Sequence, residues 1–420
     1  MSPKRPYYGW CVTAACFLTF GIAVGIPYYA LPFFYDYFEL SPAKGGFGWS
    51  RSVVTLGFPL ATLLTIWSGP LLVQRWSPRK VILAGTAITS ASLVMLSLSH
   101  GELWLYFLFW VLFMIGYILS GPIPHQILIA HWFHRMRGRA MGIMYTGIGL
   151  LGAISAKYIA KPLTEAFGFR VALAVVGLST LLAWPIVLAF IRNRPSEMGL
   201  YPDGDPGSPG CPQPEGPKYA FLLRQRAFWL LLVGSVCSIG AIGAVNQHMK
   251  LIFKDLGFAP QDVLNFTFGQ ALFVIMASSI SGRLLVGWMA DRYSKKWLTV
   301  VMYAFVSCSV LLLLSVHPPG TPYGFAVLFG LSMGADYMLI PLVAAEQLGT
   351  ESISRVMAVI VPADMIGLTW FPFAVSALRE RWGGYAVPLE IVFALALLSA
   401  ALVALMPSAK TAGSLHSESL

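Results

Sequence analysis

Arg283 interrupts a run, residues 266 to 290, that otherwise consists of small and apolar side chains. A guanidinium at the centre of a membrane helix costs about 2.5 to 3.5 kcal/mol on insertion scales, so one retained there faces a cavity or a partner. It is a ready anchor for an anion. Asp336 and Asp364 interrupt later apolar runs in the same way. At the helical rise of about 1.5 Å per residue, Arg283 lies about 13 Å from Arg292, and Asp364 about 13 Å from Arg355. Asp336 lies about 20 Å along from Tyr323 at the other end of its run. All three sit near mid-membrane, the level at which a carrier holds its solute. A carboxylate there that alternates between an arginine or water and hydrocarbon is a proton carrier. The plainer alternative is that Arg283 pairs with Asp336 or Asp364 and merely holds helices together.

Other side chains carry weaker signals. His248 lies about 10 Å of helix from Asp255, where it can donate to a solute, guard an outer mouth, or simply be packed and satisfied. Tyr28, Tyr145, Tyr337 and Asn246 each offer a hydroxyl or an amide to an anion, although most aromatic residues in such a chain are packing or interface anchors. His131 and His134 have an i, i+3 spacing that suits a metal, but they abut a basic stretch without an acid, which favours a helix-end role. The five cysteines are scattered without a C-x-x-C pair, and Cys11, Cys16, Cys237 and Cys308 read as small apolar fillers. No metal or cofactor motif stands out. A phosphate-cradling G-x-x-x-x-G-K-[ST] loop is missing, which disfavours ATP-driven work.

These residues need helices to hold them in a bilayer. With 57% hydrophobic and 11% charged residues in 420, and a mean hydropathy of +0.71, the chain reads as a polytopic all-α membrane protein. About twelve runs are long enough to span roughly 30 Å of hydrocarbon, and none shows the alternation of barrel strands. They cover residues 8–35, 50–74, 81–99, 103–130, 140–163, 170–190, 228–253, 263–290, 298–316, 323–348, 356–378 and 385–406. Lys4 and Arg5 precede a first run too long and too broken by Gly and Pro for a cleavable signal, so it is expected to be retained. Lys157, about 27 Å beyond Arg139, is placed to snorkel to the outer interface.

Basic residues are unequally shared between the loops. One set carries Arg75, Arg79, Lys80, Arg135, Arg137, Arg139, Arg192, Arg194, Arg224, Arg226, Arg292, Lys295, Lys296 and Arg355, whereas the alternate set mixes few bases with acids. The asymmetry puts both termini in the cytoplasm, with the chain in the inner (plasma) membrane. It also accounts for the net charge of +10, which is therefore no nucleic-acid signal.

Residues 194–225 are crowded with proline and glycine and read as a cytoplasmic tether. The expected organisation is a six-helix bundle over 1–193, this linker, a second six-helix bundle over 226–407, and a cytoplasmic tail over 408–420. Sliding the sequence by about 216 positions lays Lys80 on Lys296, Arg139 on Arg355 and Met141 on Met357, an internal repeat. Two similar bundles related about the membrane normal can rock around a central site and expose it to either side in turn. Residues 69–80 (GPLLVQRWSPRK) and 287–296 (GWMADRYSKK) occupy equivalent cytoplasmic turns. Arg75, Arg79, Asp291 and Arg292 in them are candidates for a cytoplasmic gate, against the simpler role of setting topology.

Those turns resemble the loop motif of the major facilitator superfamily, G-x-L-x-D-R-x-G-R-K. Gln74 stands where the motif has its acid, and Asp291 keeps it in the second half. Further stretches resemble the bacterial branch of the monocarboxylate transporter family across nearly the whole chain. They are Trp132-Phe133 with Arg137-Gly138-Arg139-Ala140-Met141-Gly142, residues 193–204 (NRPSEMGLYPDG), His248 with residues 254–258 (KDLGF), and Gly282-Arg283-Leu284. The resemblance implies a carrier of a small monocarboxylate, often with a proton, in which an arginine of the eighth helix, here Arg283, holds the carboxylate. By the same resemblance His248, Tyr145 and Tyr28 fall where substrate-lining residues of the seventh, fifth and first helices lie. Tyr28 stands where some animal members place a lysine, and Ser279 where they place an aspartate. The eleventh helix lacks the lysine of the oxalate exchangers, which points away from dicarboxylates.

The expected function is thus proton-coupled symport of a monocarboxylate such as lactate or pyruvate by alternating access, performed by a monomer without a cofactor. The proton is expected to ride on Asp336, Asp364 or His248. The alternative is a carrier of a zwitterion or other organic solute, or an organic anion exchanger, because Asp336 and Asp364 bring negative charge to the level of Arg283. A membrane enzyme would need a nucleophile with its base or a metal cluster, and a sensor would need a signalling domain that residues 407–420 do not offer.

Overall fold

In a bilayer every backbone N–H and C=O must be satisfied within its own segment, which leaves the helix as the available form for apolar runs of this length. The computed structural model describes residues 7–42, 46–72, 76–205, 219–258, 261–317 and 322–407, and among these no strand occurs. Gln74 and Arg75, residues 206–218 of the expected linker, and the whole expected tail over 408–420 lie outside the described residues.

Among the described residues, ten helices are long and apolar enough to cross a membrane. They are α1 (Tyr8–Glu39), α3 (Pro78–Leu98), α4 (Leu103–Trp132), α6 (Phe169–Phe190), α7 (Arg226–Asp255), α8 (Phe266–Ala290), α9 (Lys295–Leu314), α10 (Tyr323–Leu348), α11 (Thr350–Trp382) and α12 (Ala386–Ala404). The remaining two expected spans depart from a straight rod. The segment α5 is a pair, Arg137–Ile154 and Tyr158–Phe167, bent by 49° where Ser155–Ala160 widens into a π-helical turn. The segment α2 is the shorter Val53–Leu64, after which Thr65 leaves helical geometry before a further turn of helix at Ser68–Leu72. At that break the hydroxyls of Thr65 and Ser68 donate to the carbonyls of Ala61 and Thr65, beside the backbone N–H groups of the same two residues. Each of the twelve expected runs therefore has its helix, with the second cut short and the fifth bent.

The chain separates into two compact units, Met1–Gln213 with Met357–Pro362, and Pro214–Val356 with Ala363–Leu420. Within the first, α1 and α5 touch backbone to backbone: a Cβ on Gly21 or Gly25 would press on the carbonyl oxygens of Gly147 or Ile148. One end of this unit is filled by aromatic residues, with Phe47, Trp49 and Tyr106 at ring separations of 4.5 and 4.6 Å. The Tyr106 hydroxyl donates to the Val54 carbonyl across 2.6 Å and so pins α2 to α4.

The second unit repeats the device twice. A Cβ on Gly243 or Gly367 would meet the Leu368 or Val236 carbonyl, which marks the close pair α7 and α11. A Cβ on Gly282, Gly330 or Gly334 would overlap the Leu331, Ile275 or Ser279 carbonyl, which marks the close pair α8 and α10. Small residues at the seam let membrane helices gain dispersion contacts where the hydrophobic effect offers nothing. An apolar cluster including Val245, Met249, Phe253, Phe325, Phe329 and Val392 fills one region of this unit.

Candidate functional site

The second unit gathers ionisable groups that its sequence spreads over four helices. Asp336 on α10 and Asp364 on α11 are both buried, at 0% and 1% exposure. Each accepts a hydrogen bond from α7: Ser238 Oγ to Asp336 Oδ2 at 2.7 Å, and Ser235 Oγ to Asp364 Oδ1 at 2.7 Å. Ser235 and Ser238 stand three residues apart and so share one helix face. The other carboxylate oxygens, Asp336 Oδ1 and Asp364 Oδ2, have no hydrogen-bond partner among the described residues. Tyr303 of α9 completes the cluster, buried, with its hydroxyl beside Asp336 and within electrostatic reach of Asp364. The two aspartates also act on one another.

Arg283 is partly buried on α8, whose neighbouring residue Gly282 packs on the α10 backbone. The helix carrying Arg283 and the helix carrying Asp336 are thus fused along a glycine seam. Asn246 and Tyr337 are partly buried in the same unit, and Asn246 Nδ2 lies 3.3 Å from Met333 Sδ. His248 is engaged on both sides of its ring. Nδ1 is 2.7 Å from the Tyr385 hydroxyl and Nε2 is 2.9 Å from the Pro372 carbonyl, so Nε2 carries a hydrogen and donates it to that carbonyl. That geometry uses both nitrogens within the unit itself.

In the first unit, Tyr145 accepts a hydrogen bond from the Gln126 amide and lies edge-on to Phe20. Tyr28 belongs to a separate aromatic group with Phe58 and Tyr117 at 5.9 Å each. A buried histidine that the sequence reading passed over, His125, stacks on Phe20, with Nδ1 2.7 Å from the Gly121 carbonyl and Nε2 2.9 Å from Thr19 Oγ1. It follows the Gly121-Pro122-Ile123-Pro124 stretch, where the helix restarts at Pro122 with Gly121 as its cap, and the ring reaches back to the carbonyl of that cap. That stretch was the available signal.

The basic turns make contacts inside their own units. Arg79 donates to the Leu188 carbonyl at 2.7 Å, while Lys296 donates to the Met406 carbonyl at 2.5 Å and Lys295 pairs with Glu346 at 3.5 Å. Each half thus uses a base of its turn to satisfy a carbonyl near the end of α6 or α12, but from neighbouring repeat positions: Arg79 corresponds to Lys295, and it is Lys296 that reaches Met406. Arg292 lies over the Trp288 ring at 3.8 Å. Another stitch comes from the 193–204 stretch: Asp203, held at φ 57°, accepts the backbone N–H groups of His134 and Arg135 at 2.9 and 2.8 Å. His131 in turn is 3.0 Å from the Asn193 carbonyl, at the end of α4.

Spans that cross a bilayer many times, internal seams of glycine and buried charge within one bundle define a multi-pass membrane carrier. The family comparison agrees, and the chain belongs to the Major Facilitator Superfamily, whose family model matches residues 13–372. It is similar to the mouse protein "Monocarboxylate transporter 11", at 26% identity over 404 residues covering 91% of this chain and 84% of that one. Among solved structures it resembles the proton:xylose symporter XylE, with a TM-score of 0.71 at 14% identity covering 95% of this chain and 96% of the other. The E. coli fucose:proton symporter FucP gives a TM-score of 0.69 at 11% identity, covering 96% of this chain and 100% of the other. At those identities the two structures establish the fold, and the family makes this chain a transporter and not an enzyme.

Proposed function

We propose that this transporter moves a small monocarboxylate such as lactate or pyruvate together with a proton by alternating access, and that Arg283 is the anion anchor. The observation that carries the reading is a partly buried guanidinium within an apolar span, packed one residue from a seam with the helix that bears buried Asp336. A fixed cation in low dielectric attracts a carboxylate far more strongly than one in water, and a guanidinium matches its two oxygens. The similarity to a protein named monocarboxylate transporter supports the same class. Asp336 and Asp364 are the proton-coupling groups, so that anion and proton cross without net charge. Tyr28, Tyr145, Tyr337, Asn246 and His248 line or shape the solute path. Arg79, Asp291 and Arg292, with Arg75, act at a cytoplasmic gate. The chain works as a monomer in the inner membrane with both termini in the cytoplasm, its bundles spanning 1–193 and 226–407 on either side of the linker at 194–225.

The deciding experiment is a binding and uptake screen of lactate, pyruvate, acetate and amino acids on purified protein in liposomes. Saturable uptake of a monocarboxylate, lost in Arg283→Ala, supports the reading. Preference for a zwitterion, or unchanged anion affinity in that variant, overturns it.

A further inference from the structure

Two buried carboxylate charges, each held by a serine on the same face of α7, are costly, and one proton on the pair removes much of that cost. Which oxygen receives it follows from the hydroxyls around the pair. Ser235 Oγ has two acceptors within reach, Asp364 Oδ1 at 2.7 Å and the Leu232 carbonyl at 3.1 Å, but only one hydrogen to give. When that hydrogen turns to Leu232, the Ser235 oxygen presents a lone pair to Asp364, and the hydrogen in the short contact must come from the carboxyl. Ser238 has no such second acceptor among the described residues, so its hydrogen stays on Asp336 Oδ2. The buried hydroxyl of Tyr303 on α9 has no hydrogen-bond partner among the described residues and is available to the same pair.

We propose that Asp336, Asp364, Ser235, Ser238 and Tyr303 form a single one-proton site in which Asp364 is the protonated member and Asp336 the charged one. In that state the Asp364 O–H donates to Ser235, Ser235 donates to the Leu232 carbonyl, and Asp336 accepts from Ser238. Loss of the proton reverses one hydroxyl, Ser235 turning back to Asp364, without moving a heavy atom. Among the described residues, the titratable groups within electrostatic reach are Tyr303 from α9, which acts with both aspartates, and Cys237 from α7, which acts with Tyr303. Arg283 is carried on α8, along the glycine seam of α10.

The inference deepens the proton-coupled reading by assigning its proton, and it is tested without transport. Infrared spectra of the full chain in liposomes are expected to contain a protonated-carboxyl C=O band, lost in Asp364→Asn and retained in Asp336→Asn. A band lost only in Asp336→Asn, or no such band in the unmodified protein, overturns the assignment. If the variants fail to fold, the unmodified protein treated with a lipid-soluble carbodiimide, which attacks protonated carboxyls, supplies the answer by peptide mass mapping. Label on Asp364 supports the site, and label confined to Asp336 or present on both residues of one molecule overturns it. Uptake indifferent to a pH gradient beside a band assigned to Asp364 removes coupled transport and leaves this site standing. Gradient-driven uptake with Asp364 ionised does the reverse.

Discussion

Ser238 Oγ lies 2.7 Å from Asp336 Oδ2, so a serine of α7 holds a carboxylate of α10 inside a dry bundle. Removing the donor while keeping the buried acceptor is costlier than removing both. Ser238→Ala is expected to lower stability by about 1–3 kcal/mol, the range for an orphaned buried polar group. Adding Asp336→Leu to that background removes both partners and should recover part of the loss, read from thermal unfolding in detergent as a double-mutant cycle. Strictly additive losses would contradict the contact.

Gly334 sits where any side chain would overlap the Ser279 carbonyl. Gly334→Leu should cost at least about 1–3 kcal/mol, the usual range for overpacking, and the yield of folded protein should fall with it. Gly269, with open space around its added Cβ, makes the matched control, and Gly269→Ala should leave the melting temperature almost unchanged.

For solute recognition the informative pair is Arg283→Ala and Arg283→Lys. The alanine variant is expected to weaken carboxylate binding by roughly tenfold or more, the scale of a lost hydrogen bond to a charged group. The lysine variant should fall between, because it keeps the charge and loses the two-pronged geometry. Titration calorimetry of both, with folding checked by circular dichroism, reads the difference, and equal affinities across the set would remove the anchor.

Coupling has a definite sign. A proton taken up with the anion makes lower external pH raise the loaded fraction on the outside, so initial uptake should increase as the outside is acidified at constant internal pH. A protonophore should abolish accumulation while sparing exchange of labelled for unlabelled solute. Accumulation that survives the protonophore would exclude the proton as driving ion.

Asp203 offers a test away from the membrane interior. Its carboxylate receives the N–H groups of His134 and Arg135, and Asp203→Ala removes both acceptors at once. A loss of about 1–2 kcal/mol is expected by analogy with side chains that cap backbone donors. Asp203→Asn retains one side-chain oxygen and tolerates the same left-handed backbone, so it should lose less. The ranking is read from unfolding temperatures, and an alanine variant as stable as the asparagine one would argue against the cap.

The helical plan was legible because hydrocarbon tolerates little else, and each apolar run found its helix. The departures came at breaks that an apolar pattern does not announce: helical geometry lapses at Thr65, which ends α2 early, and a widened turn at Ser155–Ala160 bends α5. Arg283, Asp336 and Asp364 were conspicuous because a charge stands out among leucines. Ser235 and Ser238 were not, since a serine within a span reads equally as a small packing residue, and only a three-dimensional neighbour reveals what it donates to. Tyr303 and His125 were hidden for the same reason, one as an ordinary aromatic and the other behind a proline break.

The seam at Gly330 and Gly334 leaves no gap into which an acyl chain or a water molecule can wedge, so α8 and α10 share one freedom of movement instead of two. A tilt imposed at Arg283 is therefore expected to carry along the helix that bears Asp336, as two marks on one plank turn together.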